Sequence, residues 1–511
     1  MRPMNRMITV YKIAPGLTNS IALIMLYILV LLNIFGLSLS ASAESIEIDG
    51  VVNSESIRDE LANALDSIRL ENGIAAFGLV VIEDDQLAIL TTRGVANRAS
   101  GEPISDDSIF RIGSISKLFT GLIAAQLSAD DMLDLAAPVK SWPVADTYSN
   151  PWTDQHPITV AQLLEHTAGF TDLSKPEWDY SDPQQLPLSK TLRMYPEARR
   201  STWPPGRHYS YSNAGAGLAA YVMELETDKP YEELLQEIVL DPLVMNSTTA
   251  LPPANDKLAL GYDTDGTTPI PYWHQIFRPF GAINSSLKDM ANLLRVLLNK
   301  GTLDGRRLYA EAVITRVETP TTSLASRNGL QYGYGLGNYN WFREGIEFHG
   351  HGGDADGYLS RLGYSRTTKS GYFMVITAFQ PATLKKMTAL VETYLIRNTN
   401  SEKPETELAI TDKEIASITG DYQRVTRRFA ASKTNRNDEV LRVFPDQSNS
   451  LYYKHGKQSA KRILPVARYQ FRHESDVAAT FFIGPDEDGV IYFQKGSDNF
   501  RRMATMETAE E

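Results

Sequence analysis

The sequence predicts an α+β fold, an antiparallel sheet covered by helices, followed by a small all-β domain. Three observations carry this reading. Strand-like runs stand near both ends of residues 54–396, and the stretch between them has mainly helical periodicity. The texture changes after Ile396, where a polar segment begins. From Ile418 onward short β-rich runs alternate with turn residues to the end of the chain.

Each element follows from its pattern. Ile57, Leu61, Leu65 and Ile68 recur at helical spacing, so residues 54–70 read as an amphipathic helix. Two apolar runs, 76–82 and 86–92, flank Glu83-Asp84-Asp85 and read as a β-hairpin. A helix is expected from Ser114 to about Ser128, a short one over 159–165, and others over 213–226, 286–299 and 382–396. Residues 357–364 and 371–379 are strand candidates. Residues 397–407, with Pro404 and three Glu, read as a linker. The runs at 422–429, 440–444, 451–453, 463–466, 479–483 and 490–493 suggest a small barrel or sandwich. The expected domains are therefore 1–43, 44–396, a linker over 397–411, and 412–511.

Composition narrows the function. The chain has 511 residues and a formal net charge of −12, which argues against nucleic acid as a general partner. With no cysteine there is no disulfide, thiolate metal site, Cys nucleophile or lipid-bearing Cys. Arg2, Arg6 and Lys12 precede an uncharged apolar run over residues 21–39, and Ala41-Ser42-Ala43 follows. That is the layout of a secretory signal peptide, with a retained membrane anchor as the rival reading. Under either, residue 44 onward is exported.

The central chemical signal is Phe110-Arg111-Ile112-Gly113-Ser114-Ile115-Ser116-Lys117, which contains S-x-x-K. Positions i and i+3 share a helix face, so the Lys ammonium can meet the Ser hydroxyl. A serine hydroxyl is a poor nucleophile until a base takes its proton, and a desolvated lysine can be that base. A helix start adds a favourable dipole for developing negative charge. Alone the match is weak, since about one or two are expected by chance in a chain of this length. A second indeed occurs at Ser285-Ser286-Leu287-Lys288. Further along stands Tyr211-Ser212-Asn213, a phenol for proton transfer and an amide that can hold both a lysine and a substrate carbonyl. Tyr148-Ser149-Asn150 has the same spacing but runs into Pro151 and reads as loop. Then comes His351-Gly352-Gly353, whose small residues let backbone N–H groups approach a reacting carbonyl.

Ser-x-x-Lys, Tyr-x-Asn and His-x-Gly, in that order, resemble the serine β-lactamase and penicillin-binding-protein superfamily, with His-x-Gly in place of Lys-Thr-Gly. The chain most resembles the class C-like branch of esterases, D-aminopeptidases and D-stereospecific carboxypeptidases. Leu163-Leu164-Glu165-His166-Thr167-Ala168-Gly169-Phe170 and Tyr332-Gly333-Tyr334-Gly335-Leu336-Gly337 add to the likeness, as does the stretch from Gly281 to Ala291. The resemblance covers about residues 54–396 and implies an all-α insertion beside the sheet. The C-terminal part resembles the β-barrel accessory domains appended to many members.

Carried over, the resemblance makes Ser114 the acylated nucleophile, with Lys117 and Tyr211 sharing general-base and general-acid work. Asn213 orients Lys117 and substrate. His351 and Gly353 line the far wall. The oxyanion hole uses the backbone N–H of Ser114 and of Asp354, where many relatives have a small residue. The implied activity is hydrolysis of a peptide, ester or amide through an acyl-enzyme, with neither metal nor organic cofactor. The alternatives are a class C-like β-lactamase, disfavoured because His351 replaces a lysine that helps fix a substrate carboxylate, and a non-catalytic sensor. The sensor should have lost Ser114, Lys117 or Tyr211, and all three are present.

Other residues invite blander readings. His349 and His351 share a strand face as metal ligands can, but no third ligand is evident. His166 reads as a core buttress, Ser116 as a site contact or a solvated helix position, and Arg207 as a loop salt bridge or cleft rim. Ser497-Asp498-Asn499 spells a class A motif but lies downstream of the third element, so it reads as coincidence. Specificity is expected from the loops at 172–206 and 252–280.

Overall fold

The computed structural model describes residues 54–254, 257–429 and 440–504. The expected signal segment lies outside them. Helix α1 (Ser54–Glu71) leads into the hairpin β1 (Ala76–Glu83) and β2 (Gln86–Asn97), and β3 (Glu102–Pro103) follows. A two-stranded pair forms between β4 (Ile109–Arg111) and β5 (Asn284–Ser286). Strands β6 (Tyr339–Arg343), β7 (Ile346–Ala355), β8 (Tyr358–Ser365) and β9 (Ser370–Ile376) complete a seven-stranded sheet. Its order is β6-β7-β8-β9-β1-β2-β3, and every paired neighbour is antiparallel.

Both faces of this sheet are covered, and the period of two along a strand says how. In β1, Val80 and Ile82 point into one core while Phe77, Leu79 and Val81 point into another. The second core is closed by α1 through Leu61, Leu65 and Ile68, and by the last helix of this part, Pro381–Ile396, through Met387, Val391 and Leu395. The first core holds helix α2 (Ser116–Ala129), which is buried nearly all round, as its predominantly apolar sequence requires. A mainly helical region between β4 and β5 packs on the same core, including α3 (Val160–Leu164) and α4 (Asn213–Thr227).

Helix Asp412–Ile418 leads into a closed barrel of eight strands among the described residues: β10 (Gly420–Arg424), β11 (Val440–Pro445), β12 (Leu451–His455), β13 (Lys461–Ala467), β14 (Gln470–His473), β15 (Phe481–Pro485), β16 (Ile491–Lys495) and β17 (Asp498–Arg502). Closure removes the exposed edges a sandwich would leave. Tyr422, Leu441, Val443, Phe481 and Phe493 fill its interior. Strands β14 and β17 are absent from the sequence reading. The first is four residues long, and the second carries a single large apolar side chain, Phe500.

The barrel grips one particular loop of the larger part. Arg207 pairs with Asp486 at 3.3 Å, Gln494 Nε2 donates to His208 Nδ1 at 3.0 Å, and Asn499 Nδ2 donates to the Tyr209 carbonyl at 2.8 Å. Arg207 is thus an ion-pair residue, and Asn499 of the Ser-Asp-Asn run is a buried brace. These contacts fix residues 207–209, immediately before Tyr211.

His208 is fully enclosed there, and burial pulls its pKa down to about 3. His351 is pulled down to about 3 by burial and by the nearby Lys117 charge. A histidine held neutral in the fold but protonated when unfolded stabilises above its unfolded pKa of about 6.5 and loses that contribution as pH falls toward 3. Denaturant unfolding at pH 7 and pH 5 should therefore show lower stability at pH 5, by on the order of 1–2 kcal/mol for each of the two. In a His208→Gln variant the pH dependence should flatten.

Candidate active site

Ser114 sits in a short 3₁₀ turn, Gly113–Ile115, and α2 begins only at Ser116. The nucleophile candidate thus precedes the α-helix by two residues instead of opening it. Ser116 ties the turn down from a fully buried position: its Oγ donates to the Gly113 carbonyl at 2.7 Å and accepts from the Ile283 N–H at 3.1 Å.

Lys117 is 2% exposed. Its Nζ lies 3.0 Å from Ser114 Oγ, 2.7 Å from Asn213 Oδ1 and 2.7 Å from the Phe280 carbonyl. The last two atoms can only accept. A neutral amine has two hydrogens and one lone pair, so with both hydrogens spent on these acceptors the lone pair must face Ser114. Burial pulls the Lys117 pKa well below its ordinary value; Asp172 opposes this and Arg428 assists it. Geometry and desolvation agree on a lysine able to take the Ser114 proton.

Asn213 opens α4 and is buried. Asp172 accepts from its backbone N–H at 2.9 Å and from its Nδ2 at 3.3 Å, which turns its amide oxygen toward Lys117. Tyr211 lines the same cavity as Ser114, and Lys117 Nζ lies 4.9 Å from the centre of its ring. Burial pushes the phenol well above its usual pKa, so at neutral pH it is a proton donor. His166 buttresses it: the imidazole packs 4.3 Å from the Tyr211 ring, and Nδ1 accepts from the Ser212 N–H at 3.2 Å.

The third element lies inside β7, where the sequence reading put it in the segment before a strand. Its glycines are there for proximity. A Cβ on Gly353 would stand 1.9 Å from the Ile112 carbonyl, and one on Gly113, at φ +54°, would stand 2.6 Å from the Asp354 nitrogen. The strand therefore lies directly on the nucleophile turn. A Gly353→Ala variant must push the two apart, and a displacement of about 1 Å at a reacting centre can cost about a hundredfold in rate. Covalent labelling of the serine by a fluorophosphonate should slow by that order in Gly353→Ala.

His351 is buried and lines the cavity with both nitrogens occupied. Nδ1 donates to the Gly352 carbonyl, and Nε2 accepts from the Tyr334 hydroxyl at 2.7 Å. It is a neutral wall. Asp354 lines both cavities at the cleft and keeps solvent access, and partial desolvation there raises the pKa of its carboxyl. His349 stands 3.6 Å from Glu347, and among the described residues no group of three or more His, Cys, Asp or Glu could hold a metal ion. The other motif copies lie elsewhere. Ser285 is buried against Thr248 at 2.8 Å, Lys288 pairs with Asp107 at the surface, and Asn150 bonds the His156 carbonyl within its loop.

Ser114 stands where two cavities meet. One, of ≈ 670 Å³, is bounded by Tyr209, Tyr334, His351 and Arg361 and by barrel residues Arg424 and Arg428. The other, of ≈ 300 Å³, is walled by Trp178, Tyr180, Trp273, Ile276 and Phe280 from the two loops expected to set specificity, with Phe379. Two residues at this junction went unread in the sequence. Asp172 orders Asn213, and Arg428 reaches in from the segment after β10. Neither carries a motif, and they are 256 positions apart.

A family model described as Beta-lactamase matches residues 57–394. The chain belongs to the beta-lactamase family. Among curated relatives, penicillin-binding protein 4 of Amycolatopsis lactamdurans is 25% identical over 316 residues, 58% of this chain and 79% of that one. Beta-lactamases of Escherichia coli K12 and Pseudomonas fluorescens are 28% and 29% identical over 42% and 41% of this chain. Those two alignments span 55% and 56% of the beta-lactamases' own length, little more than half. Among solved structures, SurE with D-Leu matches at a TM-score of 0.55 and 20% identity, covering 88% of this chain and 100% of that one. The octameric penicillin-binding protein homologue from Pyrococcus abyssi matches at 0.56 and 20%, covering 87% and 99%. These likenesses establish the fold, and beta-lactamase family membership supports a serine-hydrolase type of function.

Proposed function

We propose that this beta-lactamase family protein is a serine hydrolase that cleaves a peptide, amide or ester bond through an acyl-enzyme on Ser114. The observation that carries the reading is the pair of carbonyl acceptors on Lys117, which leave its lone pair for Ser114. Lys117 takes the Ser114 proton as Oγ attacks the carbonyl carbon. The N–H groups of Ser114 and Asp354 face the oxyanion, a term that commonly outweighs others in acyl transfer. The protonated Tyr211 gives its proton to the leaving group; in deacylation its phenolate takes a proton from the attacking water, and the Lys117 ammonium returns a proton to Ser114 Oγ as the acyl group leaves. His351 walls the larger cavity with Gly352 beside it, Gly353 packs instead on the Ile112 carbonyl behind the Ser114 turn, and Asn213 holds Lys117. The reaction needs neither metal nor organic cofactor.

The aromatic smaller cavity suits an apolar side chain or acyl group. A D-residue beside the scissile bond belongs to the proposal, in keeping with the D-Leu seen with SurE. Neutral His351 supplies no cation at the third element, which weighs against efficient β-lactam turnover although Arg361, Arg424 and Arg428 border the same cavity. A panel of p-nitrophenyl esters, D- and L-aminoacyl anilides and nitrocefin on residues 44–511 tests this. Rapid nitrocefin turnover without esterase or peptidase activity would overturn it. We also propose export of residue 44 onward, on the basic-apolar-small pattern of residues 1–43. N-terminal sequencing of the protein from its native host checks that, with Glu44 as the expected first residue.

A further inference from the structure

We infer that Arg428, from the barrel part of the chain, is a positioning residue of the active site that acts through Asp172 and Tyr211. The inference rests on the reading of Ser114 as nucleophile.

Four observations meet at this side chain. Arg428 Nε lies 2.8 Å from the carboxylate of fully buried Asp172. The Arg428 carbonyl accepts from the Asp172 backbone N–H at 2.7 Å, so backbone and side chain both clasp one residue. The guanidinium stands 4.7 Å from the centre of the Tyr211 ring. Arg428 borders both cavities at the junction occupied by Ser114. The segment that carries it is held to the barrel, with Val425 N–H donating to the Asn499 carbonyl at 2.9 Å and Thr426 Oγ1 to the Ser497 carbonyl at 3.0 Å.

Asp172 is the hinge of this arrangement because it also orders Asn213, and Asn213 orders Lys117. A line of direct contacts thus runs Arg428–Asp172–Asn213–Lys117–Ser114. Without Arg428, Asp172 is a buried carboxylate with no ion pair, beside the two groups whose protons must move. Such a charge favours the Lys117 ammonium and disfavours loss of the Tyr211 proton. Arg428 opposes it at both. The other titratable groups facing Tyr211 are Lys117 from α2, His166 and Tyr209 from the adjoining loops, Tyr334, and His351 from β7. The charges that bear on Lys117 are the carboxylates of Asp172 and Asp354 and the Arg428 guanidinium, and Arg428 opposes both carboxylates.

The test is the rate of fluorophosphonate labelling of the full chain against pH, which needs no knowledge of the substrate. In Arg428→Ala the acidic limb, where Lys117 must lose its proton, should move up by about 0.5–1 pH unit, with a three- to tenfold loss of rate at a fixed pH on that limb. Arg428→Lys keeps the charge and should keep the limb. Arg428→Ala with Asp172→Asn removes the uncompensated carboxylate and should bring the limb back toward the wild-type position. The guanidinium is 46% exposed, so these variants should fold, which circular dichroism checks. Wild-type labelling with an unmoved limb in Arg428→Ala would overturn the inference alone, whatever happens to the apparent affinity for the probe. Absence of labelling at Ser114 in the wild type would overturn the nucleophile and this inference together.

Discussion

Lys117→Ala should lower the rate of Ser114 acylation by about 10²–10⁴-fold, the range over which a positioned general base contributes. The reason is local and complete. The lysine is 2% exposed and its nitrogen is in reach of three oxygens, and a water filling the vacated space would be a far weaker base. The Phe280 carbonyl and Asn213 Oδ1 lose their donor in the variant, which adds a stability cost of about 1–3 kcal/mol for each buried group left unpaired. Lys117→Arg should not rescue. The planar fork does not fit two converging carbonyls and a hydroxyl, and a guanidinium stays protonated and cannot be the base. Labelling kinetics, with thermal unfolding on the same samples, separate the two effects. An Ala variant that folds and labels at the wild-type rate would remove Lys117 from the mechanism.

Arg199→Ala should destabilise the fold by about 3–5 kcal/mol, the cost of breaking a buried ion pair from one side. Arg199 is 0% exposed and pairs with Glu177, itself 2% exposed. Its other nitrogens donate to the Thr147 carbonyl at 2.8 Å and to the Leu192 carbonyl, and it lies 5.3 Å from the Phe277 ring centre. One guanidinium thus joins three stretches of the helical region. Glu177 in turn accepts from the Ser174 N–H at 2.8 Å, closing the capping box of the short helix Lys175–Trp178 that presents Trp178 to the smaller cavity. The variant should therefore show a lowered urea midpoint together with weaker discrimination among acyl groups. A midpoint within experimental error of wild type would show that the loop is held by other means.

Much of the site was legible because it is written as order along the chain. S-x-x-K occurs twice, and only the copy ahead of Tyr211 and His351 proves to stand with them; Ser285 is buried elsewhere. The apolar periodicities that predicted α1, the first hairpin and the helix at 381–396 are local, and local pattern is what a sequence displays. What was hidden depends on contacts between distant segments. Arg428 and Asp172 find each other only because the barrel docks on the loop at 207–209. The run from His349 to Gly353 carries three glycines, which are poor strand formers, and its extent as the middle of a ten-residue strand, β7, could not be read. Neighbours on both sides supply its hydrogen bonds, and the turn at Gly113 demands the close approach that glycine permits. The neutral state of His351 was likewise unreadable, since it follows from burial and from the nearby Lys117.

The central claim is that Ser114 is the residue acylated. Treating the wild type and Ser114→Ala with a fluorophosphonate and locating the adduct by peptide mass spectrometry tests it most directly. A single adduct on the peptide holding Ser114 in the wild type, and none in Ser114→Ala, is the predicted result. Labelling that persists undiminished in Ser114→Ala would contradict it.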